Sequence, residues 1–192
     1  GSNLIQGDFH IVDSMEAYER AYDDWKEGTW SKNPYIDAVI PTMTDPTMAP
    51  EGKHFMSVFV QYCPPLVKGK KWTDELTKSF GDNVIDQIAK YSTNFKSLIE
   101  HVEVRTPREI ENEAGLTQGN IFHGELTLDQ LLFNRPFPGY AQYRGPVKGM
   151  YMSGSSTHPG GGVMGAPGAN SAREILIDMK ISTTVPEDEG DD

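Results

Sequence analysis

Seven of the twenty residues from 149 to 168 are glycine, and they separate a short apolar run from a stretch with helical spacing. Gly149-Met-Tyr-Met-Ser-Gly154 fits a buried strand. Ser155-Ser-Thr-His-Pro-Gly-Gly-Gly162 and Val163-Met-Gly-Ala-Pro-Gly168 follow it. Ala172, Ile175, Leu176 and Met179 then recur at helical spacing within residues 171–180. The order is strand, glycine-rich turn, helix. Glycine lets a main chain come close to a ligand, and the unpaired N–H groups of a helix start attract phosphate or polar ring oxygens. Pro167 belongs in the first turn of that helix or at a kinked start. The segment is not a P-loop, because no Gly-Lys-Ser/Thr follows. Nor is it a Rossmann fingerprint, because no acidic residue sits at the ribose-binding distance. A turn that is glycine-rich for geometric reasons alone stays open beside a backbone cradle.

Upstream, the pattern predicts an α+β chain with a mixed or mostly antiparallel sheet and flanking helices. Asp13 and Glu16 have capping-box spacing ahead of Tyr18, Tyr22 and Trp25, which read as the core face of a helix stopped by Gly28. A short strand at residues 35–40 precedes an irregular proline-rich loop. Residues 54–62 read as a strand buried on both faces and ended by Pro64-Pro65. Thr73 opens a helix through Phe80, and a second helical stretch carries Val84, Ile85, Ile88 and Ala89. Residues 99–105 alternate as a strand does. Thr106-Pro107-Arg108-Glu109 combines a threonine cap, an N1 proline and a glutamate at the third position, and Gly115 closes that helix. Residues 116–148 show little periodicity and read as a connecting segment.

Charge and cysteine content exclude several functions. The formal net charge is −11, and −6 remains without Glu187, Asp188, Glu189, Asp191 and Asp192 at the acidic end, which reads as disordered. No basic footprint for nucleic acid is present. No apolar run approaches the length of a membrane span. The single Cys63 precludes an intrachain disulfide, a dithiol relay and a cysteine zinc site, and it reads as an inert core thiol in a reducing, cytoplasmic compartment. His123 beside Glu125 is too few ligands for a metal, and His158 before Pro159 reads as a structural hydrogen-bonding residue. No metal site and no catalytic acid or base is assigned.

The segment 149–168 closely resembles the C-terminal flavin motif of phytoene desaturase-like oxidoreductases, nearest to the pyridine nucleotide-disulfide oxidoreductase domain-containing protein 2 group. Gly119-Asn-Ile-Phe-His-Gly-Glu-Leu-Thr-Leu-Asp-Gln-Leu-Leu-Phe-Asn-Arg-Pro136 resembles a second signature of that group. Residues 33–46 and the strand at 55–62 resemble it more loosely. The resemblance spans most of residues 10–180.

That resemblance implies the C-terminal part of an FAD-dependent oxidoreductase, in which the cofactor carries the redox chemistry and the protein orients substrate. Carried over, Gly154 and Ser155 lie near the ribityl–phosphate part of FAD. Gly162, Val163 and Met164 start the helix facing the isoalloxazine end, and Gly161 is a further cofactor-binding residue. Residues 1–9, beginning with Gly1-Ser2 as a cloning scar, are a lead-in. Residues 10–115 are a substrate-domain portion lining a largely apolar pocket for a small organic substrate, oxidised in desaturase- or amine-oxidase-like fashion. Residues 116–148 connect, 149–180 are the strand-turn-helix of the FAD-binding domain, and 181–192 are the tail. The strand-GxGxxG-helix that holds most of the dinucleotide is not in this sequence, so its partner is a missing N-terminal half. The chain by itself is expected to be inactive, to lack FAD and to self-associate through the uncovered surface. The alternative is a non-catalytic binding or interaction domain that keeps this part of the flavoprotein fold.

Overall fold

A computed structural model describes residues 6–181. The acidic end and Gly1-Ser2 lie outside the described residues. The chain divides into two compact units at the Ala114–Gly115 boundary.

The first unit is built on a three-stranded antiparallel sheet in the order β1 (Asp8–Ile11), β2 (Tyr35–Val39), β3 (Ser57–Gln61). Register pairs Ile11 with Ile36 and Ile36 with Val60, so Phe9, Ile11, Ile36, Ala38, Val58 and Val60 share one face, as the two-residue period of a strand requires. That face packs on α2 (Asp74–Ala89) through Phe80, Val84 and Ile88, with Trp72 and Val67 completing the core. Trp72 is buried but keeps its indole proton satisfied by donating to the Pro64 carbonyl at 2.9 Å, and it stacks on Trp30. The chain is therefore an α+β fold with helices flanking an antiparallel sheet.

Several local expectations are corrected. The helix α1 (Met15–Lys26) is capped by Ser14, whose side chain accepts from the Ala17 N–H, and not by Asp13. It buries Ala17 and Ala21, whereas Tyr18, Tyr22 and Trp25 form an aromatic cluster with Tyr62 and Tyr22 stays exposed. Small alanines let the helix approach closely, which pushes the large rings to its flank. The strand β3 is an edge strand and not one buried on both sides: Phe59 is 47% exposed, and it pairs across from Asp37 on the face away from the core. Residues 99–105 form no ladder with any described residue. The two helical stretches between 73 and 89 are one helix, because Gly81 serves packing rather than ending it.

Gly81 has a specific neighbour. A Cβ added there would lie 2.6 Å from Cγ2 of Val104. Alanine in a helix interior ordinarily gains about 1 kcal/mol over glycine. Here an overpacking cost of roughly 1–3 kcal/mol opposes that gain, since a β-branched side chain has little rotamer freedom with which to retreat. Gly81→Ala is expected to lower the thermal midpoint, and Gly81→Ala with Val104→Ala to be more stable than Val104→Ala alone. A double-mutant cycle by thermal melting measures both. A single Gly81→Ala variant that melts higher than the parent contradicts the packing argument.

The helix α3 (Phe95–Leu98) is one short turn, and α4 (Pro107–Ala114) follows the expected start signal. The Glu109 carboxylate reaches back to the Thr106 N–H at 3.0 Å and also takes the Thr106 hydroxyl, while Gly115 at φ +70° ends the helix. Burial and these contacts oppose each other at Glu109, and the contacts hold its carboxyl below the usual range.

The second unit has 3₁₀ turns at Thr117–Gly119, Leu128–Gln130 and Leu132–Asn134, then α5 (Ala166–Asp178). The strand expected at residues 149–154 is only a bridge between Tyr151 and Arg144, since among the described residues no further segment pairs with it. α5 begins earlier than the apolar spacing indicated, with Pro167 in its first turn, where a missing N–H costs nothing.

Candidate functional site

The glycine-rich turn is held from below by side chains that the sequence pattern left without a role. Arg135 is 2% exposed. Its Nε and Nη2 donate to the Ser155 carbonyl at 2.9 and 2.7 Å, Nη1 donates to the Glu125 carbonyl at 3.1 Å, and Nη2 also reaches the Phe122 carbonyl. Burial lowers its pKa from the ordinary arginine value. Thr157, fully buried, donates from both its N–H and its hydroxyl to the Gly154 carbonyl. Tyr143 donates to the His158 carbonyl at 2.8 Å and accepts from the Asn170 amide of α5 at 2.7 Å. His158 thus contributes its main chain. His123 Nδ1 lies 3.0 Å from Ser156 Oγ, and no group of three or more ligating residues forms a metal site among the described residues.

α5 is fixed at its far end by Arg144, which pairs with Glu174 and with Asp178 at 2.8 Å, while Tyr151 donates to Asp178 at 2.7 Å. The Arg144 contact and then the Tyr151 hydroxyl pull the Asp178 carboxyl down to about 2.

Above this support lie the residues singled out from the sequence. Gly154 sits at φ +83° and Gly162 at φ +123°, conformations that L side chains rarely adopt. Gly161 faces Ser155: a Cβ there would come within 3.2 Å of Ser155 Oγ. Val163 is wholly exposed with φ +57°, an unfavourable backbone region for a β-branched residue, and Met164 is half-exposed. Gly165 at φ +68° precedes α5 without a side-chain cap, which leaves the first-turn N–H groups open. Among the described residues, no main-chain acceptor takes the N–H groups of residues 161–165. The arrangement is a shelf of open donors with glycine where side chains would obstruct approach. The structure brings Gly161 to Ser155, and it leaves Gly162, Val163 and Met164 in the loop just ahead of the Gly165 N-cap rather than in the first turn of the helix.

The cysteine belongs elsewhere. Cys63 packs against the first unit's core, and burial, with a smaller contribution from Glu109, pushes its thiol up to about 12. Since the thiolate is the reactive form, alkylation of Cys63 at pH 8 is expected to be slow in the folded chain and fast in denaturant. The raised value also means that this site favours folding fully below about pH 9 and loses that contribution as pH rises toward 12. Timed labelling with a maleimide, read by mass, checks it; equal rates with and without denaturant would refute the assignment.

The sequence has relatives. Over 162 residues, 84% of this chain, it is 45% identical to pyridine nucleotide-disulfide oxidoreductase domain-containing protein 2 of Rattus norvegicus. The mouse protein of the same name (Mus musculus) is 44% identical over the same share. The chain is homologous to a segment of these proteins. 4,4'-diapophytoene desaturase (4,4'-diaponeurosporene-forming) of Staphylococcus aureus strain Newman is 31% identical across 91% of this chain. The chain spans 28% of the length of the mammalian relatives and 36% of the bacterial one. No protein-family model matches it. No helix among the described residues is long and apolar enough to cross a membrane.

Proposed function

We propose that this chain is the C-terminal segment of a longer FAD-dependent oxidoreductase, and that residues 154–164 with the start of α5 form its contribution to the flavin site. The observation that carries the reading is the shelf itself. Gly162 at φ +123° and the open donors of residues 161–165 fit the polar edge of a flat ring better than they fit a solvent-facing loop. An interior turn with no ligand would gain nothing from a wholly exposed Val163 held at positive φ, a conformation costing on the order of 1–3 kcal/mol. Similarity to an oxidoreductase domain protein and to a desaturase supports the same reading.

FAD, when bound, supplies the electron or hydride transfer. The residues of this chain orient the ring through main-chain N–H groups and keep side chains out of its way. The first unit is proposed to be part of the substrate domain, with the sheet face that bears Phe59 turned toward substrate. That face also carries His10, Tyr35 and Asp37, with the Tyr35 hydroxyl 2.5 Å from His10 Nδ1. The substrate it suits has an apolar body and a hydrogen-bonding group.

Expression of the chain alone and of the longer protein tests the proposal. The chain alone is expected to be colourless, and the longer protein to carry flavin bands at near-equimolar occupancy. A longer protein with no flavin after cofactor supplementation would favour the second reading, a non-catalytic domain that keeps the flavoprotein fold.

A further inference from the structure

We infer that Arg135 is a positioning residue that shapes the 154–162 turn to take an anionic dinucleotide; the inference rests on the flavin reading above. A guanidinium remains charged in a folded protein. Arg135 is nevertheless buried, and no carboxylate lies within ion-pair distance among the described residues. A buried charge without a counter-ion costs several kcal/mol unless dipoles compensate it. Three main-chain carbonyls do so, those of Phe122, Glu125 and Ser155, the last receiving two donors.

The consequence is directional. A peptide unit is planar and trans, so its C=O and N–H point opposite ways. Pulling the Ser155 and Glu125 carbonyls inward onto Arg135 turns the N–H groups of Ser156 and Leu126 outward, and among the described residues neither donates to another main-chain acceptor. An unpaired outward N–H carries partial positive charge, which suits an anion. Beside the Ser156 N–H, His123 Nδ1 lies 3.0 Å from the Ser156 hydroxyl. Neither Gly154 nor Ser155 is then a ligand-binding group by side chain. The fork of Arg135 sets the Ser155–Ser156 peptide plane while Thr157 holds the Gly154 carbonyl, and Arg135 does so by joining the 119–136 segment to the 149–168 segment. Lysine is a poor replacement, because its three donors radiate from one nitrogen and lack the fixed planar spread of the fork that reaches these carbonyls.

The test uses the longer protein with Arg135→Lys, Arg135→Gln and, as a reference for the cradle, Gly162→Val. FAD affinity, the visible spectrum of bound flavin, its reduction potential and the melting of the apo-protein are measured together. Arg135→Lys is expected to fold but to bind FAD roughly ten- to a hundredfold more weakly, the range for losing charge-assisted hydrogen bonds. Any flavin it retains should show a shifted spectrum and potential, which a residue that only supports the fold would not move. Arg135→Gln, a planar donor without charge, should lie at least as low. If Gly162→Val loses flavin while both Arg135 variants keep parental affinity and spectrum, Arg135 has no positioning role and the cradle stands. If Gly162→Val also keeps its flavin, the cradle reading itself is wrong. If neither Arg135 variant folds, Arg135 is a fold residue and the inference is overturned.

Discussion

Gly162→Val in the longer protein is expected to leave the fold standing and to abolish flavin retention on purification. Two costs combine at this position. At φ +123° any side chain is strained, on the order of 1–3 kcal/mol, and a branched one most of all. A Cβ would also stand 3.1 Å from Cε of Met164, on the surface where the open N–H groups lie. Met164 is half-exposed and flexible, so the fold can absorb the second cost by moving it. A ring lying on that surface has no such freedom. Since 1.4 kcal/mol is a factor of ten in affinity, a few kcal/mol is enough to empty the site during purification. Flavin content by absorbance, set against melting of the apo-protein, separates the two effects. Parental flavin content would place the cradle elsewhere.

Ile36→Ala should be the most damaging single truncation in the first unit, by about 2–5 kcal/mol for a large-to-small change at a fully buried site. Ile36 has no exposed surface, sits on the central strand, and pairs with Ile11 on one side and Val60 on the other. It belongs to the cluster that includes Trp72, Phe80, Val84 and Ile88. The cavity left there is lined from two layers, and neither can close without moving the sheet. Phe59→Ala, on the exposed face of β3, should cost far less because Phe59 already meets solvent. Chemical denaturation of the two variants measures the difference. Equal losses would mean that the Phe59 face is also packed.

Elements whose signal is local were legible in the sequence. Glu109 reaching back to the Thr106 N–H, Thr73 ahead of α2 and the glycines that end α1 and α4 each act within a few residues and form as read, whereas the Thr106 hydroxyl donates to Glu109 instead of capping the helix. What depends on distant partners was not. The run 149–154 has the composition of a strand, but a strand exists only where another pairs with it, and among the described residues Tyr151 finds only Arg144. Residues 99–105 fail in the same way. Tyr18, Tyr22 and Trp25 have core spacing, yet which face of a helix is buried depends on how near the helix must come, and Ala17 and Ala21 decided that. At the site, the positive φ of Gly162 follows from glycine itself, whereas Arg135 gave no local sign. An arginine before a proline reads as surface, and only the fold shows that its partners are three carbonyls from 10 to 20 residues away. The dense motif around residues 119–136 marked the segment without marking the residue.

Amide hydrogen exchange of the longer protein, with and without FAD, addresses the flavin shelf most directly, because it reads the N–H groups on which the reading depends. Exchange across residues 154–168 should slow markedly when FAD binds, with the strongest protection in peptides that contain Val163, Met164 and Ala166. FAD that binds and protects other parts of the protein while exchange in 154–168 stays unchanged would contradict the account.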